Sequence, residues 1–290
     1  MKKAILKLGY ECNNNCLFCH ARTKKNLPIK TQKETLAKIN KIKNKVDCII
    51  FSGGEPLLNK KFISLANIIK KKGLEIGIIT NARLLSLPKT KEKIKNLKPG
   101  YIYTTFHSNQ KEIHEKISQV PGSFEQTIEG IRNSSSFNTE LMVNIVIIKQ
   151  NINTLKRTVQ FLKEEGINNL KLSFVEPVTE KDILHTPDIT KASKKAKETI
   201  DFFPDVDIGW DGFPLCLMKK YENKIKNLKT CNIDYISEAW EDNFSESDCG
   251  NKIKKKECKE CLKQNKCEGI YKKYLKHKRF QPIPYMDPQH

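Results

Sequence analysis

Gly9-Tyr10-Glu11-Cys12-Asn13-Asn14-Asn15-Cys16-Leu17-Phe18-Cys19-His20 places three cysteines at the spacing C-x3-C-x2-C. Three thiolates from one short loop can hold three corners of a metal site. Structural zinc and complete cubane clusters usually take four protein ligands. A compact triple therefore either borrows a fourth ligand, with His20 the nearest, or leaves one metal corner open to a substrate or cofactor. Three asparagines among the cysteines make a poor core strand, so three buried structural cysteines are not the expected reading.

Farther along comes Cys48-Ile49-Ile50-Phe51-Ser52-Gly53-Gly54-Glu55-Pro56. This short apolar run reads as a buried strand that stops at two glycines, a carboxylate and a proline. The glycines allow close backbone approach at the strand's end, and Glu55 offers an acceptor for a cationic group.

Taken together, the cysteine triple and the Gly53-Gly54-Glu55-Pro56 turn resemble the radical S-adenosylmethionine enzymes. The resemblance implies that Cys12, Cys16 and Cys19 anchor a [4Fe-4S] cluster whose open iron chelates the amino and carboxylate groups of S-adenosylmethionine. It puts Phe18 beside the adenine and gives Gly53, Gly54, Glu55 and Pro56 the methionine amino group. It implies an electron donor such as flavodoxin or ferredoxin. The run from His107 through Gly130 and Ile131 also looks like the family, so the likeness covers about residues 3 to 178.

At 290 residues the chain has room for one large domain and a small one. No apolar run reaches the roughly 18 residues needed to span a bilayer, and the first residues run straight to the cysteine loop without a signal-peptide pattern. A cytoplasmic setting with no membrane partner is expected. Nine of the ten cysteines fall in two groups near the two ends, which favours metal over disulfides. The net charge of +20 raises nucleic acid as a partner. Lysine supplies nearly all of it, with arginine only at Arg22, Arg83, Arg132, Arg157 and Arg279. Lysines spread through nearly every expected helix read as solvated faces, so a nucleic-acid partner is not expected.

Strand and helix alternate through the first two thirds. Strands are expected at 3–8, 48–51, 75–79, 101–106, 141–148 and 170–174. Thr31 and Glu34 have capping-box spacing for a helix to about Lys43, as do Ser123 and Gln126 for a later one; Asn151 reads as the cap of a helix closed by Gly166. Six such units imply a parallel sheet, either a partial barrel or a doubly wound sheet. The resemblance selects an α/β fold with a (β/α)6 partial TIM barrel, whose ligands sit at the C-terminal ends of the strands. By position, Thr80, Asn81, His107, Ser108 and Asn144 are candidates for the methionine carboxylate or ribose of S-adenosylmethionine, and Glu176 for the ribose or substrate.

From about 179 the alternation is expected to stop, giving a barrel domain over 1–200 and a small cysteine-rich domain over 201–290. After an amphipathic helix near 189–202, the chain passes Cys216, Cys231 and Cys249 and reaches Cys258-x2-Cys261-x5-Cys267. A zinc ribbon is one reading of this second metal signature. The stretch also looks like the shortened auxiliary-cluster domains related to SPASM and twitch extensions, with too few cysteines for two clusters in the usual arrangement. The expected ligands of one auxiliary [4Fe-4S] cluster are Cys216, Cys258, Cys261 and Cys267, with Cys231 or Cys249 as substitutes. The implied activity is reductive cleavage of S-adenosylmethionine to a 5′-deoxyadenosyl radical that takes hydrogen from a peptide or small-molecule substrate. The competing readings are a nucleic-acid-modifying enzyme of the same family and a non-enzymatic zinc protein that binds nucleic acid.

Overall fold

The computed structural model describes residues 1–227, 230–246 and 251–286. Seven strands follow one another in the sheet in chain order, all parallel: β1 (Lys3–Lys7), β2 (Cys48–Ser52), β3 (Glu75–Thr80), β4 (Tyr101–Thr105), β5 (Glu140–Ile147), β6 (Asn169–Phe174) and β7 (Asp207–Asp211). Parallel neighbours need a crossover, and the helices supply it. These are α1 (Gln32–Ile42), α2 (Phe62–Lys71), α3 (Pro88–Leu97), α4 (Lys111–Ser118), α5 (Ser123–Ser135), α6 (Leu155–Glu164), α7 (Glu180–His185) and α8 (Ile189–Phe202).

Alternate strand residues feed two separate apolar clusters, as the two-residue period requires. Ala4, Leu6, Ile49, Phe51, Ile76, Ile78 and Ile102 join the helices in the main core. Ile5, Cys48, Ile50, Tyr101 and Met142 form a second cluster on the other face of the sheet. That face is concave. In a flat sheet β1 and β4 would lie roughly 14 Å apart, yet the Lys3 ammonium sits 4.8 Å from the centre of the Tyr101 ring. The fold is thus the α/β partial barrel, open at one side.

Four expectations need correction. The alternation does not stop near 179, because α7, α8 and β7 extend it by a unit; Gly209 and the acidic ends of Asp207-Ile208-Gly209-Trp210-Asp211 hide a strand whose Ile208 and Trp210 are fully buried. The chain then returns to the opposite edge, where β8 (Ile233–Ser237) pairs parallel with β1 and antiparallel with β9 (Ser245–Glu246). Both edges of the barrel sheet therefore draw on residues beyond 200. Ser123 does not cap α5: Gly122 holds that position, and the Ser123 hydroxyl meets that of Ser118 at 2.6 Å. Asn151 sits one turn ahead of α6, accepting from the Ile148 amide at 2.9 Å and donating to the His107 and Val146 carbonyls, each at 2.9 Å. The Thr31–Glu34 capping box on α1 forms as read.

Beyond β9 a short antiparallel pair, Lys252–Ile253 with Ile270–Tyr271, brackets the Cys258–Cys267 loop and leads into α9 (Lys272–His277). The Tyr274 hydroxyl accepts from the Ile189 amide at 2.9 Å, and its ring packs on Phe174, so this segment is fastened to α8 and β6. Among the described residues no helix is long and apolar enough to cross a membrane.

Candidate active site

The cysteine loop leaves β1 and is held from three sides. Its Asn15 and Leu17 amides donate to the Ser118 and Ile117 carbonyls at the end of α4, at 2.9 and 3.0 Å. The Asn81 side chain donates to Asn13 Oδ1 at 2.7 Å and approaches Cys12 Sγ at 3.6 Å. Arg83 donates to the Asn13 carbonyl and, at 2.8 Å, to Asn14 Oδ1.

The third side is the turn after β2. The Gly54 amide donates to the Gly9 carbonyl at 2.9 Å, and the Glu55 amide to the Glu11 carbonyl at 2.7 Å. A Cβ on Gly54 would lie 2.1 Å from the Glu11 carbonyl oxygen, and one on Gly53, whose φ is +132°, 2.1 Å from that of Gly9. What these glycines approach closely is therefore the cysteine loop's own backbone.

Cys12, Cys16, Phe18, Cys19, Gly53, Gly54, Thr80, Asn81, His107 and Glu176 line one cavity of about 410 Å³, within the roughly 300–1,000 Å³ usual for small-molecule sites. Burial first, and the neighbouring thiols second, push the Cys16 thiol up to about 12. Bare thiolates are costly there, and a bound cationic cluster would reverse that cost. The thiols also have donors for bound sulfur: Cys12 Sγ takes the Asn14 amide at 3.4 Å, and His107 Nε2 stands 3.9 Å from Cys16 Sγ. His107 is itself buried, edge-on to Phe18 at 5.6 Å, and desolvation lowers its pKa to about 4, so the ring is neutral.

Four candidates lie off this cavity. The Glu55 carboxylate is buried beneath it and accepts from the Leu57 amide at 3.0 Å, the Thr80 hydroxyl at 2.8 Å and the Asn81 amide at 2.8 Å. Pro56 is the buried first residue of a 3-10 turn. Ser108 faces Thr154 at 3.3 Å, and Asn144 accepts from the Ser173 hydroxyl at 2.7 Å. Glu176 stands at the cavity rim, with His20 Nδ1 at 3.9 Å and Asn251 donating to it at 2.7 Å.

Sequence reasoning missed the wall built by Tyr103, Thr105, Lys171, Ser173 and Asp211. The signal was there in part: Lys171 and Ser173 interrupt an apolar strand at alternate positions, the pattern of one face turned to a polar interior.

A second cavity is lined by Cys216, Cys258, Cys261 and Cys267 with Phe280, Pro282, Pro284 and Tyr285. Backbone amides point at the sulfurs, Leu215 at Cys267 (3.5 Å) and Tyr285 at Cys261 (3.4 Å). Cys231 is elsewhere, against the barrel-interior cluster of Ile5, Cys48 and Tyr101, and so does not substitute there. Cys249 lies outside the described residues. The nine described cysteines are free thiols. Among the described residues no three His, Cys, Asp or Glu side chains converge closely enough to hold a single metal ion.

Comparison with known proteins agrees with this geometry. An uncharacterized protein of Methanocaldococcus jannaschii is 29% identical over 203 residues, covering 67% of this chain and 70% of that protein. A probable GTP 3′,8-cyclase of Sulfurisphaera tokodaii is 28% identical over 175 residues, 59% of this chain and 55% of that protein, so the chain spans little more than half of it. Among solved structures, Streptococcus suis SuiB bound to S-adenosylmethionine superposes with a TM-score of 0.68 at 16% identity, over 99% of this chain and 76% of that one. SuiB bound to its precursor peptide SuiA gives 0.61 at 18% identity, over 72% and 48%. A family model described as the radical SAM superfamily matches residues 6–162, more than half of the sequence. The chain belongs to the radical S-adenosylmethionine superfamily, a family of enzymes that use a [4Fe-4S] cluster and S-adenosylmethionine.

Proposed function

We propose that Cys12, Cys16 and Cys19 hold the [4Fe-4S] cluster with one corner open, and that S-adenosylmethionine occupies the part of the cavity lined by Phe18, Gly53, Gly54, Thr80, Asn81, His107 and Glu176. When bound, the cluster supplies the electron that splits S-adenosylmethionine into methionine and a 5′-deoxyadenosyl radical, which takes a hydrogen atom from the substrate. The chain's own part is positioning and exclusion. Gly53 and Gly54 clamp the cysteine loop against β2, Glu55 fixes the end of β3 from below, and Phe18 with His107 gives the cavity an apolar side. Ser108, Asn144, Glu55 and Pro56 act through these neighbours rather than by touching the cofactor. The observation that carries the reading is that all three thiols and both glycines face one 410 Å³ cavity.

Cys216, Cys258, Cys261 and Cys267 hold the auxiliary cluster in this reading. Four thiols lining one cavity, with backbone amides aimed at two of them, support a cluster site there. The leading substrate class is a peptide, supported by a fold shared with SuiB across nearly the whole chain and by that protein's structure with a precursor peptide. The likeness to a probable GTP cyclase favours a second reading, a nucleotide-like small molecule. Electrons come from a flavodoxin or ferredoxin, in a reducing cytoplasm.

The test is anaerobic purification, followed by assay of iron, sulfide and 5′-deoxyadenosine with dithionite as reductant. Wild type should carry about two cubane clusters and release 5′-deoxyadenosine. Replacing Cys12, Cys16 and Cys19 with Ala should abolish that release, while Cys258→Ala with Cys261→Ala should remove about half the iron and leave some uncoupled cleavage. Colourless protein holding stoichiometric zinc would refute the proposal, and full iron in the C-terminal variant would refute its auxiliary part.

A further inference from the structure

The cavity has a part that the cysteines do not reach. By sheet order the cysteine loop and the two glycines follow β1 and β2, while Tyr103, Thr105, Lys171, Ser173 and Asp211 line the cavity from β4, β6 and β7. The Lys171 side chain is 12% exposed, a cation set inside the barrel. Asp211 Oδ2 is 3.7 Å from its nitrogen, and the centre of the Tyr103 ring is 4.9 Å away. Burial pulls the Lys171 pKa down, but Tyr103 and Asp211 together outweigh it and the pKa is raised. Burial also raises the Tyr103 pKa and leaves it an uncharged phenol, so the full negative charge beside Lys171 is the Asp211 carboxylate.

Lysines that only brace this fold close on their partners. Lys38 reaches Ser237 Oγ at 2.8 Å and the Glu238 carbonyl at 2.9 Å; Lys226 reaches both Asn169 Oδ1 and Asp207 Oδ2 at 2.8 Å. Lys171 stands off its carboxylate instead, and Asp211 Oδ1 is engaged by the Gly212 amide at 2.6 Å. An ammonium carries three donors. The groups that face it are Asp211, Tyr103 and the Cys231 thiol, and with the carboxylate standing off at 3.7 Å the ammonium can turn a donor to whatever fills the cavity.

We propose that Lys171 receives an oxyanion of the substrate, a carboxylate or a phosphate, with Asp211 and Tyr103 as positioning residues that aim its ammonium. This rests on the reading that the cysteine side holds the cofactor, and it deepens that reading by giving the substrate a charge. In a peptide substrate the group is an acidic side chain or the C-terminal carboxylate; in a nucleotide-like one it is a phosphate.

The probes are acetate and inorganic phosphate, titrated into the anaerobic, cluster-loaded full chain with S-adenosylmethionine present and followed by carbon-13 and phosphorus-31 line broadening. At least one should bind wild type; acetate alone points to a carboxylate substrate and phosphate alone to a phosphorylated one. Lys171→Met should weaken that binding about tenfold or more, as for loss of a charge-assisted hydrogen bond. Lys171→Arg should retain it, with the affinity for S-adenosylmethionine unchanged in both. If Lys171→Met fails to fold, Lys171→Gln decides: it keeps a hydrogen-bond donor without the charge and should weaken anion binding about tenfold, and unchanged binding overturns the proposal. No binding of either anion to wild type, or equal binding to Lys171→Met, also overturns it. Protein that binds the anions through Lys171 but not S-adenosylmethionine would sink the cofactor reading and leave the anion site standing.

Discussion

Gly54 shows how far a single residue can be read. The Gly-Gly-Glu-Pro wording announced a close backbone approach, but only the structure shows that the partner is the cysteine loop. Sequence carries the demand for a missing Cβ and not the identity of what fills the space. Gly54→Ala should therefore push the loop away, costing about 1–3 kcal/mol or more as overpacking does and lowering iron retention. Gly73→Ala is the control, since nothing lies within 4 Å of its Cβ position and its φ is +80°. It should cost about 1–2 kcal/mol of backbone strain with full iron content. Thermal unfolding with an iron assay on both variants checks this, and equal iron loss in the two would contradict it. Glu55 was equally half-legible: its carboxylate was read as an acceptor, and its three acceptor contacts are all to the chain itself.

At the scale of elements, helices with side-chain signals were readable and late strands were not. Thr31 and Glu34 cap α1 through local bonds that spacing alone specifies. β8 is fixed instead by distant partners. Lys38 on α1 reaches Ser237 and the Glu238 and Glu241 carbonyls, while the Glu238 carboxylate receives Lys7, the Tyr10 hydroxyl at 2.6 Å and Lys24 at 2.9 Å. Burial alone would raise the Glu238 pKa, but the bonds from Lys7, Tyr10 and Lys24 outweigh it and hold the pKa at about 2. The folded pKa lies below the ordinary 4.5, so this carboxylate's stabilisation is full above about pH 4.5 and is lost as pH falls towards 2. Glu238→Gln should lower stability at neutral pH and flatten the acid side of the profile between those values. Denaturant unfolding across that range checks it; a variant as acid-sensitive as wild type would contradict it.

For the whole molecule, the parallel sheet of six units followed from alternation, because parallel α/β topology leaves few options, while its barrel form and the expectation of a site at the strand ends came from the resemblance that two motifs carry. The far edges did not follow. β7 carries too little periodicity to be seen, and β8 depends on a pairing with β1 some 230 residues away that no local pattern encodes. Residues 1–200 alone would leave β1 and β6 as bare edges and strip the cover from Lys38 and Tyr10. That fragment should aggregate or unfold in size exclusion and circular dichroism; a soluble, monomeric, iron-binding fragment would show that the barrel closes without its late strands. The central claim is that the Cys12-Cys16-Cys19 site keeps an open corner that S-adenosylmethionine occupies. Electron paramagnetic resonance of the dithionite-reduced protein tests it most directly. Adding S-adenosylmethionine should shift the cluster signal in wild type and in the Cys258→Ala, Cys261→Ala variant, and Cys16→Ala should show no shift. A reduced cluster signal in wild type that is indifferent to S-adenosylmethionine would contradict the account.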